Sequence, residues 1–388
     1  MSQYDRCSPN SACACFYIAG AINIGICSDE FIDCSELVAC ERSNNLCLEP
    51  GHRCVHHPRC HNLPVCYPVP SFNRQLCPPK AMIPNIPVNA RWAKDGVTVA
   101  GGRGRGNATY QLDHPKGFLT DDDQTMLMAD WDNHRIIQWK VDDTKGQVIA
   151  GGNGQGNRLD QLSFPTDVLI DNDTDSLIIC DEWNRRLVQW SRRNGTTQGK
   201  VLLDRIFCHG LAMDDQKCLY ISDTLKHAVI RYEIGDKNGT VVAGGHGKGD
   251  GLNQFYQPTY LFVDRQKTVY VSDSENHRVM KWEKGATEGV VVAGDHGEGN
   301  ALRQLSYPQG LFVDTLGTIY VVDARNNRVM RWPEGARQGT VIAGGNGIGQ
   351  GANELWGPAS LSFDRHGNLY VFDNGNHRVQ RFSIEGTN

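Results

Sequence analysis

Apolar runs of strand length, rich in Val, Ile and Tyr, alternate with polar turns along most of the chain. That pattern predicts β-strands rather than helices. The clearest segment is Thr318-Ile319-Tyr320-Val321-Val322, followed by the turn Asp323-Ala324-Arg325-Asn326-Asn327 and a second apolar run, Arg328 to Trp332. The same turn starts at Asp130, Asp181, Asp223, Asp273 and Asp373, so that successive copies lie 51, 42, 50, 50 and 50 residues apart. A period in this range signals a propeller or a solenoid.

Each full repeat holds four runs. After Pro308, run a is Gly310 to Asp314, run b Thr318 to Val322, run c Arg328 to Trp332 and run d Thr340 to Gly344. Four consecutive antiparallel strands make one propeller blade. Run c carries Trp139, Trp190, Tyr232, Trp282, Trp332 and Phe382 at one equivalent position, an in-phase series that suits packing between blades. The first d run, Val97–Ala100, precedes any a run, and the last repeat ends at c. Val97–Ala100 is therefore expected to fill the outer edge of the last blade and hide an edge that would otherwise template aggregation.

These residues carry a resemblance. The pattern P-x-G-L/I-x-V-D … L-Y-V-x-D-x-x-N-x-R-V/I, closest at Pro308–Trp332 and Pro358–Phe382, resembles the NHL repeat and spans about residues 95–384. The resemblance implies an all-β, six-bladed β-propeller of four-stranded blades. It also implies a binding module, often for protein or RNA and sometimes behind a RING-type ubiquitin ligase domain. A related propeller is the lyase that completes peptide amidation.

Composition changes the picture at the N-terminus. Of 14 cysteines, 11 fall between Cys7 and Cys77: Cys7, Cys13, Cys15, Cys27, Cys34, Cys40, Cys47, Cys54, Cys60, Cys66 and Cys77. That density predicts a disulfide module, residues 1–80, in an oxidising, extracellular compartment. The string Cys54-Val55-His56-His57-Pro58-Arg59-Cys60-His61 looks like a zinc cluster, but no C-x2-C pair occurs, so disulfides are the expectation. Eleven is odd, which leaves one cysteine to stay free, pair between chains or reach Cys180, Cys208 or Cys218. A Cys180–Cys208 bridge across neighbouring blades is the better guess, because Cys208 is expected opposite Asp223, out of reach of Cys218. Sequons at Asn107, Asn172, Asn194 and Asn238 agree with secretion. No signal peptide precedes Cys7, so the sequence reads as a fragment or has a misassigned start. Pro78 to Pro87 read as a linker, residues 81–95, before a propeller at 96–388. A net charge of −5 without long runs of one sign makes nucleic acid an unlikely partner. The longest apolar stretch, about 12 residues, is too short for the roughly 20 that span a membrane.

Candidate sites divide into repeated and exceptional positions. Asp130, Asn133, Arg135, Asp181, Asn184, Arg186, Asp273, Asn276, Arg278, Asp323, Asn326, Arg328, Asp373, Asn376 and Arg378 recur in phase and read as structural turn residues, the Asx side chains bonding backbone at the b–c hairpin. An Asp ring holding calcium is the sharper reading of the same set. Gly102–Gly106, Gly152–Gly156 and Gly345–Gly349 resemble phosphate loops, yet no helix follows, so they read as repeated turns. The exceptions are Trp131, Glu182 and Trp183 in the first two turns, Lys226 where the turn elsewhere has Asn, and His209 after the shortened loop of the third repeat. Exposed tryptophans beside a shortened loop would form a groove for a protein or glycan ligand. The run a entry positions, Lys116, Thr166, His209, Thr259, Gln309 and Ala359, offer one His and no converging ligand set. The reading is thus a non-catalytic extracellular binding protein without cofactor, calcium or zinc being the exceptions to test. Alternatives are a metal-dependent enzyme resembling the amidating lyase or a lactonase, and a ubiquitin-ligase substrate module.

Overall fold

The computed structural model describes residues 13–18, 25–29, 37–40, 47, 52–56, 64–68, 86–120, 125–193 and 195–385. The chain divides into two compact units, Met1–Met82 and Ile83–Asn388.

In the first unit five strands form one sheet in the order Gly25–Asp29, Cys13–Ile18, His52–His56, Val65–Pro68, Val38–Ala39. Val55, Val65 and Tyr67 make a small core. Among the described residues two disulfides staple it, Cys40–Cys54 and Cys47–Cys66, with Cα atoms 5.9 and 5.6 Å apart. A core this small gains from bridges, each contributing roughly 2–4 kcal/mol. Cys15 lies opposite Cys27 in the sheet register. Cys7, Cys34, Cys60 and Cys77 lie outside the described residues.

The second unit is a ring of six four-stranded antiparallel blades. In the fifth, strand order follows the chain: Pro308–Val313, Ile319–Asp323, Arg328–Trp332, Thr340–Gly344. The last blade comprises Ser360–Phe363, Leu369–Asp373 and Arg378–Phe382, and its fourth strand is Val97–Gly101, with Ala100 opposite Val379. The ring closes as the out-of-phase d run requires. A further pair, Arg91–Trp92 with Ile384–Glu385, extends the closure. The expected linker is corrected here. Ile86, Ala90 and Trp92 are buried with the residues of the last two blades, and Trp92 Nε1 donates to Gly367 O at 2.9 Å. Apolar side chains, not a free tether, therefore hold residues 86–95.

Six apolar clusters each join neighbouring blades, and the run c aromatics are buried in them. Run a strands lie innermost, side by side around the axis. Their close approach explains an alternation in the sequence. Gly117, Gly210 and Gly310 face Asp167, Tyr260 and Ser360 of the next blade, and a Cβ on Gly117 would lie 2.5 Å from the Asp167 Cα. Among the described residues, no helix is long and apolar enough to cross a membrane.

Candidate binding face and channel mouth

The b–c turns and the d–a loops occupy one face of the ring, and a recurring staple joins them. In the fifth blade Asp323 Oδ2 accepts from Arg328 Nε at 2.7 Å, and Asn326 Nδ2 donates to both Asp323 and Gly299 O. Arg328 Nη atoms donate to the carbonyls of Asn300, Ala301 and Gln304. The sequence reading placed the Asx bonds within the b–c hairpin. The Arg bonds, beyond that to Asp, run to the loop before the blade, 24 to 29 residues upstream, in the sets of Arg135, Arg186, Arg278 and Arg378 as well. The Gly-rich loops are thus carbonyl cradles for an internal guanidinium. Positive φ at Gly344, Gly345 and Gly347 shapes one of them. The Asp oxygens are taken by Arg, Asn and backbone N–H groups. Burial pushes Asp130, Asp181, Asp273 and Asp323 above the usual carboxylate value despite the guanidinium beside each.

The third blade shows the dependence from the other side. Only residues 205–207 separate its inner strand from the strand before it, so no cradle exists. An Arg there would find no carbonyls, and Ala228 stands in its place. Asp223 instead caps its own turn through the N–H groups of Leu225 and Lys226. Lys226 is exposed, with Nζ 3.7 Å from Asp223.

A second recurring device latches neighbouring blades. The residue closing each turn is left-handed, and in five of the six turns its side chain accepts a backbone N–H from the next blade's loop; the second turn closes on Arg185, which stacks on Phe207 instead. His134 Nδ1 accepts from Phe164, His227 from Gln257, His277 from Tyr307, His377 from His114, and Asn327 Oδ1 from Gly357. Each latch needs an unprotonated acceptor. Burial lowers His134 and His227 below the ordinary imidazole value.

The channel mouth is where the repeat is broken. Register shifts at the start of five inner strands place Lys116, Thr166, His209, Thr259 and Gln309 in β-bulges, unpaired with strand b. Bulges re-aim side chains, here at the rim of the channel. On the side of blades one to four the rim is large and ionisable. Lys116 Nζ lies 5.1 Å from the Trp131 ring, and burial lowers its pKa, opposed by Glu182. Burial also pushes Glu182 and Asp167 up to about 7. His209 is 9% exposed and packs edge-on against Tyr260 at 5.1 Å between centroids. Burial and then Lys116 push it down to about 3. The His209 Nδ1, Tyr260 Oη and Trp131 Nε1 atoms are buried and have no hydrogen-bond partner. Such orphans are uncommon and cluster where function or water intervenes. On the other side Ser274, Gln309, Ala324, Ala359 and Asn374 are small or already bonded.

An aromatic ramp leads to this rim. Trp131, Phe164 and Trp183 stack in series at 4.6 and 4.4 Å, and Trp183 is 61% exposed. One expectation changes here. Trp131 is half-buried beneath Phe164 and Lys116 rather than exposed. At the shortened loop of the third blade Phe207 stacks on Arg185 at 4.5 Å. A cavity of about 300 Å³ lies elsewhere on this face, between the last blade and the first. The structure thus gathers Trp131, Glu182 and His209 around Lys116, sets Trp183 at the outer end of the ramp and leaves Lys226 on an exposed turn. Sequence reasoning passed over Lys116, Asp167 and Tyr260. The signal was present: Lys116 is the one cation among the six entry positions. Asn107, Asn172 and Asn238 are exposed, and Asn194 lies outside the described residues. Cys180 and Cys208 are bridged across blades, Cα atoms 5.4 Å apart, and Cys218 is a free, buried thiol.

The NHL repeat family model matches residues 355–382. No curated protein matches the sequence. A protein of unknown function from Bacteroides thetaiotaomicron has TM-score 0.62 at 15% identity, covering 99% of this chain and 100% of that one. An auxiliary nutrient binding protein from the same organism has TM-score 0.60 at 13% identity, covering 99% and 100%. A putative phosphatase, also from that organism, has 0.56 at 13% identity, covering 77% and 80%. At these identities the likeness is one of fold. The chain is thus a six-bladed β-propeller, and within it residues 355–382 match the NHL repeat.

Proposed function

We propose that the chain is a non-catalytic, extracellular binding or scaffold protein. It recognises a protein, or a glycan, on the face built from its turns and loops. The observation that carries this reading is the ramp Trp131–Phe164–Trp183, exposed at its outer end and ending at Lys116 and Glu182. The fifth and sixth blades carry Ala324-Arg325 and Asn374-Gly375 where the first two carry Trp131-Asp132 and Glu182-Trp183, so the ramp is not demanded by the fold. An exposed Trp next to a charged, half-buried rim is the make-up of an interface anchor. The paired cysteines support secretion. They also leave Cys40, Cys47, Cys54 and Cys66 without the free thiolates a RING needs. The test is to probe arrays of extracellular proteins and of glycans with the intact chain and with Trp183→Ala. Loss of a signal in the variant supports the reading and identifies the ligand class. Equal signals on every feature overturn it.

A second reading, a propeller enzyme, is favoured by the desolvated Lys116–Glu182–His209 group, whose perturbed pKa values match acid–base chemistry. Turnover of a lactone or ester panel by the intact chain, abolished by Lys116→Met, would establish it.

A further inference from the structure

We infer that the seam where the ring closes is a binding site for a zinc-class divalent cation, held by Asp113, His114 and His377. Asp113 and His114 belong to the loop entering the first blade, and His377 closes the turn of the last. One ligand atom from each lies within 4.8 Å of the other two. His114 Nδ1 is 2.9 Å from Asp113 Oδ1 and 2.8 Å from Asp132 Oδ2, and His377 Nδ1 is 3.9 Å from Asp113 Oδ1. The rings meet edge to face at 4.7 Å. These separations suit donors sharing one ion, whose bonds to N and O are about 2.0–2.2 Å, and the ion would take over the His377 Nδ1 lone pair that otherwise accepts the His114 N–H.

The repeat itself provides the contrast. At the positions of Asp113 and His114 the second, fourth, fifth and sixth blades carry Ser163-Phe164, Tyr256-Gln257, Ser306-Tyr307 and Trp356-Gly357. The latch needs only a backbone N–H at that place, so a His there has no structural demand behind it. Two imidazoles with one or two carboxylates favour zinc over calcium or magnesium, which prefer all-oxygen sets. With three protein donors a fourth position stays open. The cavity of about 300 Å³ lined by Arg105, His114, Trp356, Asn374 and His377 lies beside it. Arg105 neutralises Asp113 at 2.9 Å and approaches Asp132 at 3.3 Å, and its side chain is largely exposed. An arriving cation would displace it into solvent.

The other blades supply substitutions that keep the fold. Asn327 already performs the latch in the fifth blade, and Gln257 already occupies the left-handed position in the fourth. The experiment is calorimetric titration of the chelator-treated, oxidised full chain with zinc chloride, calcium chloride and magnesium chloride, with thermal melting in parallel. The expected result is one zinc per chain, a raised melting temperature, and weaker or no response to calcium and magnesium. His114→Gln and His377→Asn should each weaken zinc at least tenfold. His277→Asn, in a blade without the cluster, should leave it unchanged, and Arg105→Ala should strengthen it. Absence of stoichiometric zinc, or zinc binding unchanged in both His114→Gln and His377→Asn, overturns the proposal. The second outcome would move the ion to another site, the cysteine-rich unit included.

Discussion

Arg328→Ala tests how the turns and loops of this face are held. In the folded chain Asp323 is 0% exposed, and Arg328 bonds it together with three loop carbonyls. Burial already pushes Asp323 above its ordinary value of 3.8, so the pair sits near break-even against desolvation. Removing the guanidinium is another matter. The orphaned carboxylate can escape by taking a proton. Lifting a proton onto a group of ordinary value 3.8 at pH 7 costs about 4 kcal/mol, which bounds the charge part of the loss. At pH 5 the same step costs under about 2 kcal/mol. The sign follows from linkage. A raised Asp binds more protons folded than unfolded, so the variant loses stability as pH rises from about 4 towards neutrality. At pH 7 the melting temperature should fall by about 6 °C in a unit of about 300 residues. The assay is guanidinium unfolding at pH 5 and pH 7. Adding Asp323→Asn should remove the difference between the two. A loss under about 1 kcal/mol at pH 7, or the same loss at both pH values, would refute the reasoning.

Other expectations can be checked with the same instruments. His134 and His227 are held low by burial, with Asp132 and Asp181 opposing at the first, and Asp223 opposing and Lys248 assisting at the second. The fold therefore binds fewer protons there than the unfolded chain. Stability is full above about pH 6.5 and falls as pH drops towards the lowered folded values. Replacing both by Asn should flatten that slope in a pH series of denaturant melts. Cys180→Ser with Cys208→Ser opens a bridge spanning 28 residues and should cost about 3–4 kcal/mol by chain entropy. Gly117→Ala drives a methyl into the Asp167 backbone and should cost about 1–3 kcal/mol, whereas Trp183→Ala should stay within about 0.5 kcal/mol in thermal melting.

The ring was legible because its signals are periodic. Six in-phase aromatics and an out-of-phase d run define blade number and closure without any knowledge of contacts. The N-terminal unit offered no such phase, so cysteine density predicted disulfides but neither their pairing nor the sheet beneath them. The binding face was half legible. Trp131, Glu182, Trp183 and His209 stand out as departures from the repeat. What joins them is Lys116, which reaches them only after three inner strands come side by side. The far end of the staple was not legible because Arg328 bonds carbonyls more than 20 residues upstream, and local turn chemistry cannot see them. His114 and His377 lie 263 positions apart and become neighbours only through ring closure.

That closure has a consequence for synthesis. Strand Val97–Gly101 emerges from the ribosome roughly 280 residues before its partner, Arg378–Phe382. At about 5–20 residues per second it waits on the order of half a minute for its mate. Through that interval a β-edge of four consecutive apolar or β-branched residues, Val97-Thr98-Val99-Ala100, stands unclaimed in a crowded cell. Slowed translation between the two strands should therefore lower yield more than the same delay placed before Val97, and a chaperone that shields this single edge should restore it.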